Sequence, residues 1–369
     1  MTQYNIAFAT DDNYLPFTFV AMQSVIDHIS SNYKDCHNDS IVFHVLTDSS
    51  TKKDEINSKI SSFIERNNSV IKNSIDLHIV DSNQFKSYKG WGLCGSKSIY
   101  FRLFIDSILS NSIKTVLYLD VDVLVLSDIR ELFDTTNLSE RVAAAVLDAI
   151  ISNSSSMEHD IKASHYFNSG MLLINLNEWR RQDIGGKCIE ILNNRHLSYP
   201  DQDALNIAIP DPIILPSKWN LQTTAFCAYE YSLLHHRLMV IQKGEYLNNS
   251  YLETDLLESM LNPSIVHFTA FKPWRSRINS VVNGNRFVCN SDIFLLIEHW
   301  QHSAHNVKEF GNIFNNYKFD LWNNANSRLI QLDNDIRHEI KARRKTRKQL
   351  IVVVLVVFIV QIAIDFMID

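Results

Sequence analysis

The chain has 369 residues, of which 46% are hydrophobic and 21% charged, so it can bury the core of one large domain or of two. Its net charge of −6 argues against duplex nucleic acid as a partner, because phosphate binding requires a basic face. The five cysteines are widely spaced without a C-x-x-C pair, which indicates reduced thiols rather than a zinc site or a disulfide framework.

The first 80 residues alternate between predicted strands and helices. Short apolar runs that end in polar residues indicate the strands, and apolar side chains at helical spacing indicate the helices. Pro16 lies where the first turn of a helix tolerates proline. The strands are Ile6–Ala9, Ile41–Leu46 and Ile75–Val80, and the helices carry the apolar stripes Met22–Ile29 and Ile56–Ile64. This rhythm predicts a doubly wound, mostly parallel sheet that binds its ligands at the carboxyl ends of the strands.

The sequence predicts further helices and strands after residue 80. Ser98–Leu109 is predicted to be helical. Strands are predicted at Thr115–Leu119, Val142–Leu147 and Gly170–Ile174, and helices at Asn177–Leu192, Thr254–Leu261, Ile293–His302 and Trp322–Lys345. No internal repeat and no long linker divides the chain.

The C-terminal tail combines a basic block, Lys341–Lys348, with an apolar run, Leu350–Ile364. A helix of that run would span roughly 22 Å, short of the ~30 Å hydrocarbon core. A short tail anchor, an interfacial or re-entrant segment and a buried core element all remain open. We expect membrane attachment, because anionic headgroups attract such a basic cluster, and the positive-inside rule would then leave the preceding residues in the cytoplasm.

Asp120-Val-Asp122 follows the apolar run Thr115–Leu119. These residues close the predicted strand, so period-2 alternation places both carboxylates on one face. Two convergent carboxylates favour Mg²⁺ or Mn²⁺, which can bridge a diphosphate. The D-x-D pattern alone is weak, because it recurs at Asp201–Asp203 and Asp333–Asp335. The apolar surroundings distinguish the first pair, since burying carboxylates there is costly unless a cation or hydrogen-bond donors compensate.

Seven segments together, spanning about residues 4–275, resemble the bacterial family-eight retaining glycosyltransferases, including those of lipopolysaccharide core assembly. The order of the segments along the chain makes the resemblance specific. They are Phe8–Tyr14, Phe43–Leu46, Tyr100–Leu103, Val116–Val125, Tyr166–Leu176, Asp201–Asn206 and His267–Trp274. The resemblance implies a GT-A-type nucleotide-sugar-binding fold. The helices predicted at Ile293–His302 and Trp322–Lys345 add a helical C-terminal extension.

On the donor side, the resemblance implies that Ala9, Asp11 and Asn13 meet the nucleotide, where a carboxylate and an amide can pair with uracil. The alternative for this segment is a helix N-cap formed by Asp12 or Asn13. Arg102 resembles the family's arginine beside the donor, where a guanidinium can bind the diphosphate or sugar hydroxyls. The alternative for Arg102 is a surface arginine on a helix.

The resemblance implies a metal centre of Asp120, Asp122 and His267, holding Mn²⁺ or Mg²⁺. Taken alone, a single histidine is more often a core or surface residue. Lys272 would hold the diphosphate, so that metal and ammonium together stabilise the charge that builds on UDP.

Four residues are implied to face the sugars. Asp148 resembles a residue that contacts sugar hydroxyls, and Asn168 begins the turn beside the donor sugar. Asp201 and Gln202 match the pair near the reacting carbon, where an oxygen can stabilise an oxocarbenium-like state. The alternative for Asp201 is a helix cap after Pro200.

The predicted protein is thus a UDP-sugar-dependent hexosyltransferase that retains anomeric configuration, with a glycolipid or oligosaccharide acceptor such as lipopolysaccharide core. Its predicted parts are a catalytic domain at 1–280, a helical extension at 281–340 and a membrane-attachment tail at 341–369, on the cytoplasmic side of the inner membrane. One alternative is a membrane-associated nucleotide-sugar-binding protein without transferase activity. A sugar-phosphate nucleotidylyltransferase fits less well, because Thr10–Asn13 is acidic and lacks the glycines of a triphosphate loop.

Overall fold

The structure is a computed structural model. It describes most of the first 314 residues, in segments separated by gaps. The described segments are 2–33, 39–48, 53–88, 95–152, 166–224, 240–242, 245–247, 253–269, 272–274, 281–282, 285–286 and 291–314.

A seven-stranded mixed sheet forms the centre of the fold. Four of its neighbouring strand pairs are parallel and two are antiparallel. Its strands are β1 (Gln3–Thr10), β2 (Ser40–Thr47), β3 (Lys72–Ile79), β4 (Thr115–Leu119), β6 (Ala143–Leu147), β8 (Phe167–Asn175) and β9 (Ile213–Ile214), in the order β3-β2-β1-β4-β8-β6-β9. This confirms the predicted doubly wound, mostly parallel sheet.

The chain order reverses between β1 and β4, which pair in parallel from Ile6↔Leu117 to Phe8↔Leu119. Such a reversal leaves a crevice at the carboxyl ends of the strands. Asp11–Asn13 follows one of these strands and Asp120–Asp122 follows the other. The topology therefore brings the two polar segments to the same edge of the sheet.

Smaller sheets complete the described strands. Asp120–Asp122 does not continue β4, because the chain turns there and β5 (Val123–Val125) joins a different sheet. In that sheet β13 (Ile265–His267) pairs antiparallel with β5 and parallel with β10 (Leu221–Gln222). The expected strand alternation at the aspartates is therefore wrong. The remaining strands are β7 (Ile150–Ser152), β11 (Val240–Gln242), β12 (Glu245–Leu247), β14 (Val281–Val282) and β15 (Asn285–Arg286).

Helices pack against the central sheet, and buried apolar stripes explain where they form. In α1 every residue from Leu15 to Ile26 is buried, with Pro16 in the first turn. The α-helices are α1 (Leu15–Asp27), α2 (Lys53–Asn67), α3 (Ile105–Ile108), α4 (Arg130–Thr135), α5 (Leu176–Arg181), α6 (Ile184–Asn194), α7 (Pro200–Ala208), α8 (Glu253–Leu261), α9 (Ser291–Asn306) and α10 (Gly311–Phe314). Turns of 3₁₀ helix occupy Ser82–Phe85, Ser98–Phe104, Ser217–Asn220 and Lys308–Phe310.

The predicted helix Asn177–Leu192 is in fact two helices, α5 and α6. Asp183 lies between them with a left-handed φ of 51°, which ends the first helix. Its carboxylate then accepts a hydrogen bond from the Gly186 N–H at the start of the second helix. The spacing of apolar residues alone does not reveal such a break between two helices.

The C-terminal predictions fall partly outside the described residues. The predicted helix Ile293–His302 lies within α9, whose Ser303 hydroxyl donates to Asp27 of α1. The predicted helix Trp322–Lys345 and the tail 341–369 are outside the described residues. No helix in the described part of the chain is both long and apolar enough to cross a membrane. The predicted boundaries at 280 and 340 stay predictions.

Candidate active site

A cleft of about 420 Å³ opens at the carboxyl ends of β1 and β4. It brings together ten of the twelve predicted site residues, although they lie far apart in sequence. These are Ala9, Arg102, Asp120, Asp122, Asp148, Asn168, Asp201, Gln202, His267 and Lys272. The other two, Asp11 and Asn13, do not line the cleft.

Asp120, Asp122 and His267 form a candidate metal centre. Their ligand atoms lie within 4.8 Å of one another. His267 Nε2 is 3.2 Å from Asp122 Oδ1 and 3.9 Å from Asp120 Oδ2. Two backbone bonds fix the turn that carries the aspartates, one from the Asp120 N–H to Gly170 O and one from the Phe268 N–H to Asp122 O. Two carboxylates and an imidazole suit a divalent cation that prefers oxygen but accepts nitrogen, such as Mn²⁺.

The orientation of His267 is set by Asn168. The Asn168 Oδ1 atom lies 3.0 Å from the Gly170 backbone N–H, which identifies it as an oxygen that accepts. His267 Nδ1 is 3.1 Å from the same oxygen and therefore carries the ring proton. The Nε2 atom, the nitrogen available to a metal, then faces the two aspartates. A second partner that fixes the tautomer in this way is typical of metal-binding histidines.

Asp120 is held by a buried arginine. Arg102 is 4% exposed, so the alternative of a surface arginine is wrong. Its Nη2 donates to Asp120 Oδ1 at 2.7 Å, and the Tyr118 hydroxyl donates to the same oxygen at 2.9 Å. The Arg102 guanidinium also donates to Ser169 O at 2.6 Å and stacks 4.5 Å from the Tyr118 ring. These contacts leave Asp120 Oδ2 on the side of His267.

Lys272 forms an ion pair with Asp122 and donates to Phe268 O at 2.6 Å. Burial alone would raise the pKa of Asp122, but the Lys272 ammonium and the His267 ring together bring that pKa well below its usual range. The Asp122 carboxylate is therefore ionised at neutral pH and available as a ligand.

A network of amides and a carboxylate occupies the other side of the cleft. Gln202 Nε2 donates to Asp148 Oδ2 at 2.9 Å, and Asn168 Nδ2 donates to the same oxygen at 3.0 Å. Gln202 Oε1 accepts from the Ser169 backbone N–H at 3.0 Å. Asn168 thus connects this network to His267, and the polar groups are fixed in place by their partners.

Asp201 and Asp203 divide two roles between them. Asp201 Oδ2 is 3.4 Å from Arg102 Nε, so it faces the cleft, whereas Asp203 accepts from the Ser198 and Tyr199 N–H groups before α7. Asp203 thus holds the chain that enters α7, and Asp201 accepts from its own N–H and that of Gln202 in the first turn of the helix. Burial raises the pKa of Asp201 to about 6, with Arg102 opposing the rise and Asp120 adding to it.

Asp11 has a local role in the turn after β1. Its Oδ1 atom accepts from the Asn13 N–H at 2.9 Å and from the Tyr14 N–H at 3.1 Å. Asp11 therefore stabilises the turn before α1. The alternative assigned this role to Asp12 or Asn13. The contact of Asp11 and Asn13 with a nucleotide stays a prediction.

Sequence reasoning missed several residues that position the site. Tyr118 supports Asp120, and the Asn220 amide donates to Asn168 Oδ1 at 3.0 Å. Gln222 is 2% exposed, lines the cleft, and bonds Leu147 O and Ala149 N. A tyrosine two residues before an aspartate in an apolar strand was the available signal for Tyr118. Asn220 and Gln222 carried none.

Comparison with solved structures identifies the fold. An active-site mutant of LgtC superposes with a TM-score of 0.57 and 23% identity, covering 82% of this chain and 95% of LgtC. The bifunctional glycosyltransferase WbbM also gives a TM-score of 0.57, with 18% identity over 85% of this chain and 51% of WbbM. The fold is that of a GT-A-type glycosyltransferase.

The amino-acid sequence places the chain within that class. Residues 5–277 match the family described as glycosyl transferase family 8, and the chain belongs to that family.

Several curated proteins are similar to it. A lipopolysaccharide 1,2-glucosyltransferase of Escherichia coli is 27% identical over 75% of this chain and 74% of its own length. A lipopolysaccharide 1,3-galactosyltransferase of Salmonella typhimurium is 28% identical over 60% of this chain. General stress protein A of Bacillus subtilis is 35% identical over 49% of this chain. The alignments span 64% of the Salmonella protein and 60% of the Bacillus protein.

Proposed function

We propose that this protein is a retaining hexosyltransferase that moves galactose or glucose from a UDP-sugar to a saccharide acceptor. The observation that carries the proposal is the convergence of Asp120, Asp122 and His267 beside Lys272 in one cleft. This ligand set fits Mn²⁺ or Mg²⁺. When bound, such an ion supplies positive charge that stabilises the diphosphate leaving group.

The chain's own cations complement that charge. Lys272 lies against Asp122 and lines the cleft, so its ammonium can bind the donor's phosphates. Arg102 is buried between Asp120 and Asp201, and it therefore keeps both carboxylates in fixed positions. We propose that Arg102 acts on the donor through this positioning as well as through its charge.

The sugar would lie against the network of Asp148, Asn168 and Gln202. Fixed amide and carboxylate groups bind sugar hydroxyls without further ordering, which favours catalysis. Asp201 provides negative charge for the oxocarbenium-like state of the reacting carbon. We propose transfer to the same face of the sugar, which retains the anomeric configuration, because the sequence resembles retaining enzymes.

The acceptor we propose is lipopolysaccharide core, as the names of the Escherichia coli and Salmonella relatives suggest. We further propose that the protein works on the cytoplasmic side of the inner membrane. The basic block Lys341–Lys348 and the apolar run after it support this location. Attachment there would raise the concentration of enzyme near a lipid-linked acceptor.

A panel of UDP-sugars tests the proposal. We expect UDP release with UDP-galactose or UDP-glucose that requires Mn²⁺ or Mg²⁺, and NMR of the product should show a retained anomeric configuration. Asp122→Ala should abolish release, because it removes a ligand, whereas Asp54→Asn, on the exposed side of α2, should not change it. Metal-dependent binding of UDP without release from any UDP-sugar would favour the non-catalytic nucleotide-sugar-binding protein instead.

A further inference from the structure

A second cluster of metal-ligating side chains lies on the central sheet, away from the cleft. His44 is on β2, and Asp76 and His78 are on β3. Each offers one ligand atom, and these atoms lie within 4.8 Å of one another. None of the three residues lines the active-site cleft.

The strand register explains why the three side chains meet. His44 pairs directly with Asp76 in the parallel ladder of β2 and β3. His78 is two residues beyond Asp76, so it projects from the same face of the sheet. β3 is the edge strand of the seven-stranded sheet, and the Asp76 side chain is 56% exposed. The cluster is therefore rigid at its buried histidine and open to solvent at its carboxylate.

The spacing of the ligand atoms suits a small tetrahedral ion. His44 Nδ1 is 3.2 Å from His78 Nε2 and 3.7 Å from Asp76 Oδ2. Two ligands at about 2.0–2.1 Å from a tetrahedral ion lie roughly 3.3–3.4 Å apart, so the three atoms need little movement to bind one. The exposed side leaves a fourth position for water.

The buried partner of His44 prepares it as a ligand. His44 Nε2 lies 3.2 Å from Asn5 Oδ1, an oxygen that also accepts from Gln3 Nε2 at 3.0 Å. His44 therefore carries its ring proton on Nε2, and the Nδ1 lone pair faces Asp76 and His78. This is the same arrangement by which Asn168 orients His267, and it is typical of metal-binding histidines.

We propose that His44, Asp76 and His78 bind a nitrogen-preferring divalent transition ion of the Zn²⁺ class, which fastens the edge strand β3 to β2. Two imidazoles and one carboxylate favour such an ion, whereas the two carboxylates and one imidazole of the cleft favour Mn²⁺ or Mg²⁺. The wide spacing of the cysteines argued only against a cysteine-based zinc site. That argument does not apply to His44 and His78, which lie on different strands and meet only in the folded sheet.

Calorimetric titration of the full chain with Zn²⁺ tests the site. Wild type should bind one Zn²⁺ more than His78→Gln or Asp76→Asn, whereas His196→Gln, at an exposed histidine, should match wild type. Asp122→Ala should keep this Zn²⁺, which separates the cluster from the cleft. Zn²⁺ should also raise the Tm of Asp122→Ala and not that of Asp122→Ala/His78→Gln. Equal Zn²⁺ stoichiometry and affinity in wild type, His78→Gln and Asp76→Asn would overturn the proposal.

Discussion

Replacing Gly170 with alanine perturbs the candidate metal centre through a single contact. Gly170 lies in β8 and does not have a positive φ, so alanine costs no backbone strain there. A Cβ atom at this position would lie 2.2 Å from His267 Cε1 and 2.7 Å from His267 Nδ1. Carbon atoms pack at about 3.5 Å or more, so the imidazole must move by roughly 1.3 Å.

That displacement is large on the scale of metal coordination, where ligand distances vary by about 0.2 Å. We therefore expect Gly170→Ala to lower Mn²⁺ affinity about 10- to 100-fold, the range seen when a ligand loses its support. A misplacement of about 1 Å in a catalytic site costs about 100-fold in rate, which corresponds to about 2.7 kcal/mol. Calorimetric Mn²⁺ titration and UDP release from the donor sugar measure the two effects.

Two controls isolate the steric mechanism. Gly186→Ala places a Cβ against the Asp183 carboxylate at the start of α6, away from the cleft, and should keep wild-type activity. In a His267→Ala background, the Gly170→Ala change should cost little more, because the ring it displaces is gone. A folded Gly170→Ala protein with wild-type Mn²⁺ affinity and rate would refute the reasoning.

Three further predictions concern other parts of the chain. Because burial raises the pKa of Asp201 to about 6, its carboxylate becomes protonated as the pH falls through 6. The transfer rate of wild type should therefore fall in that pH range. A pH–rate profile of Asp201→Asn should lack this step. Asp203→Ala should lower the free energy of unfolding by about 2 kcal/mol, because it removes the 2.5 Å hydrogen bond that the buried Tyr166 hydroxyl donates to Asp203. Urea denaturation measures this change, and an unfolding midpoint equal to that of wild type would contradict the prediction. Deleting 341–369 should move the protein from the membrane to the soluble fraction while activity on a soluble acceptor persists; unchanged fractionation would argue against attachment.

The strands of the fold could be predicted because a buried strand appears in the sequence as a short run of apolar residues. Ile6–Ala9 and Ile41–Leu46 are apolar runs that end in polar residues, and both lie in parallel strands of the central sheet. The turn at Asp120–Asp122 could not be predicted in this way. It exists because Val123–Val125 pairs with Ile265–His267, about 140 residues later, and no local pattern encodes that pairing.

For the candidate site, the residues themselves could be predicted but the contacts that hold them could not. The resemblance identified Asp120, Asp122 and His267, and the structure brings these three residues together. What the resemblance did not give is how each is held, because the supporting contacts join distant segments. Asn168 orients His267, and Asn220 completes that support from a 3₁₀ turn. Such contacts depend on tertiary packing, so a single sequence carries little trace of them.

The central claim is that Asp120, Asp122 and His267 hold a divalent cation against the diphosphate of a nucleotide sugar. Crystals grown with Mn²⁺ and UDP test this through the anomalous scattering of manganese. We expect one strong peak between these three side chains, at a coordination distance of about 2.0–2.6 Å from the carboxylate oxygens, with the UDP phosphates on its open side. UDP bound in the cleft without a manganese peak at the three residues, or a peak only elsewhere, would contradict the account.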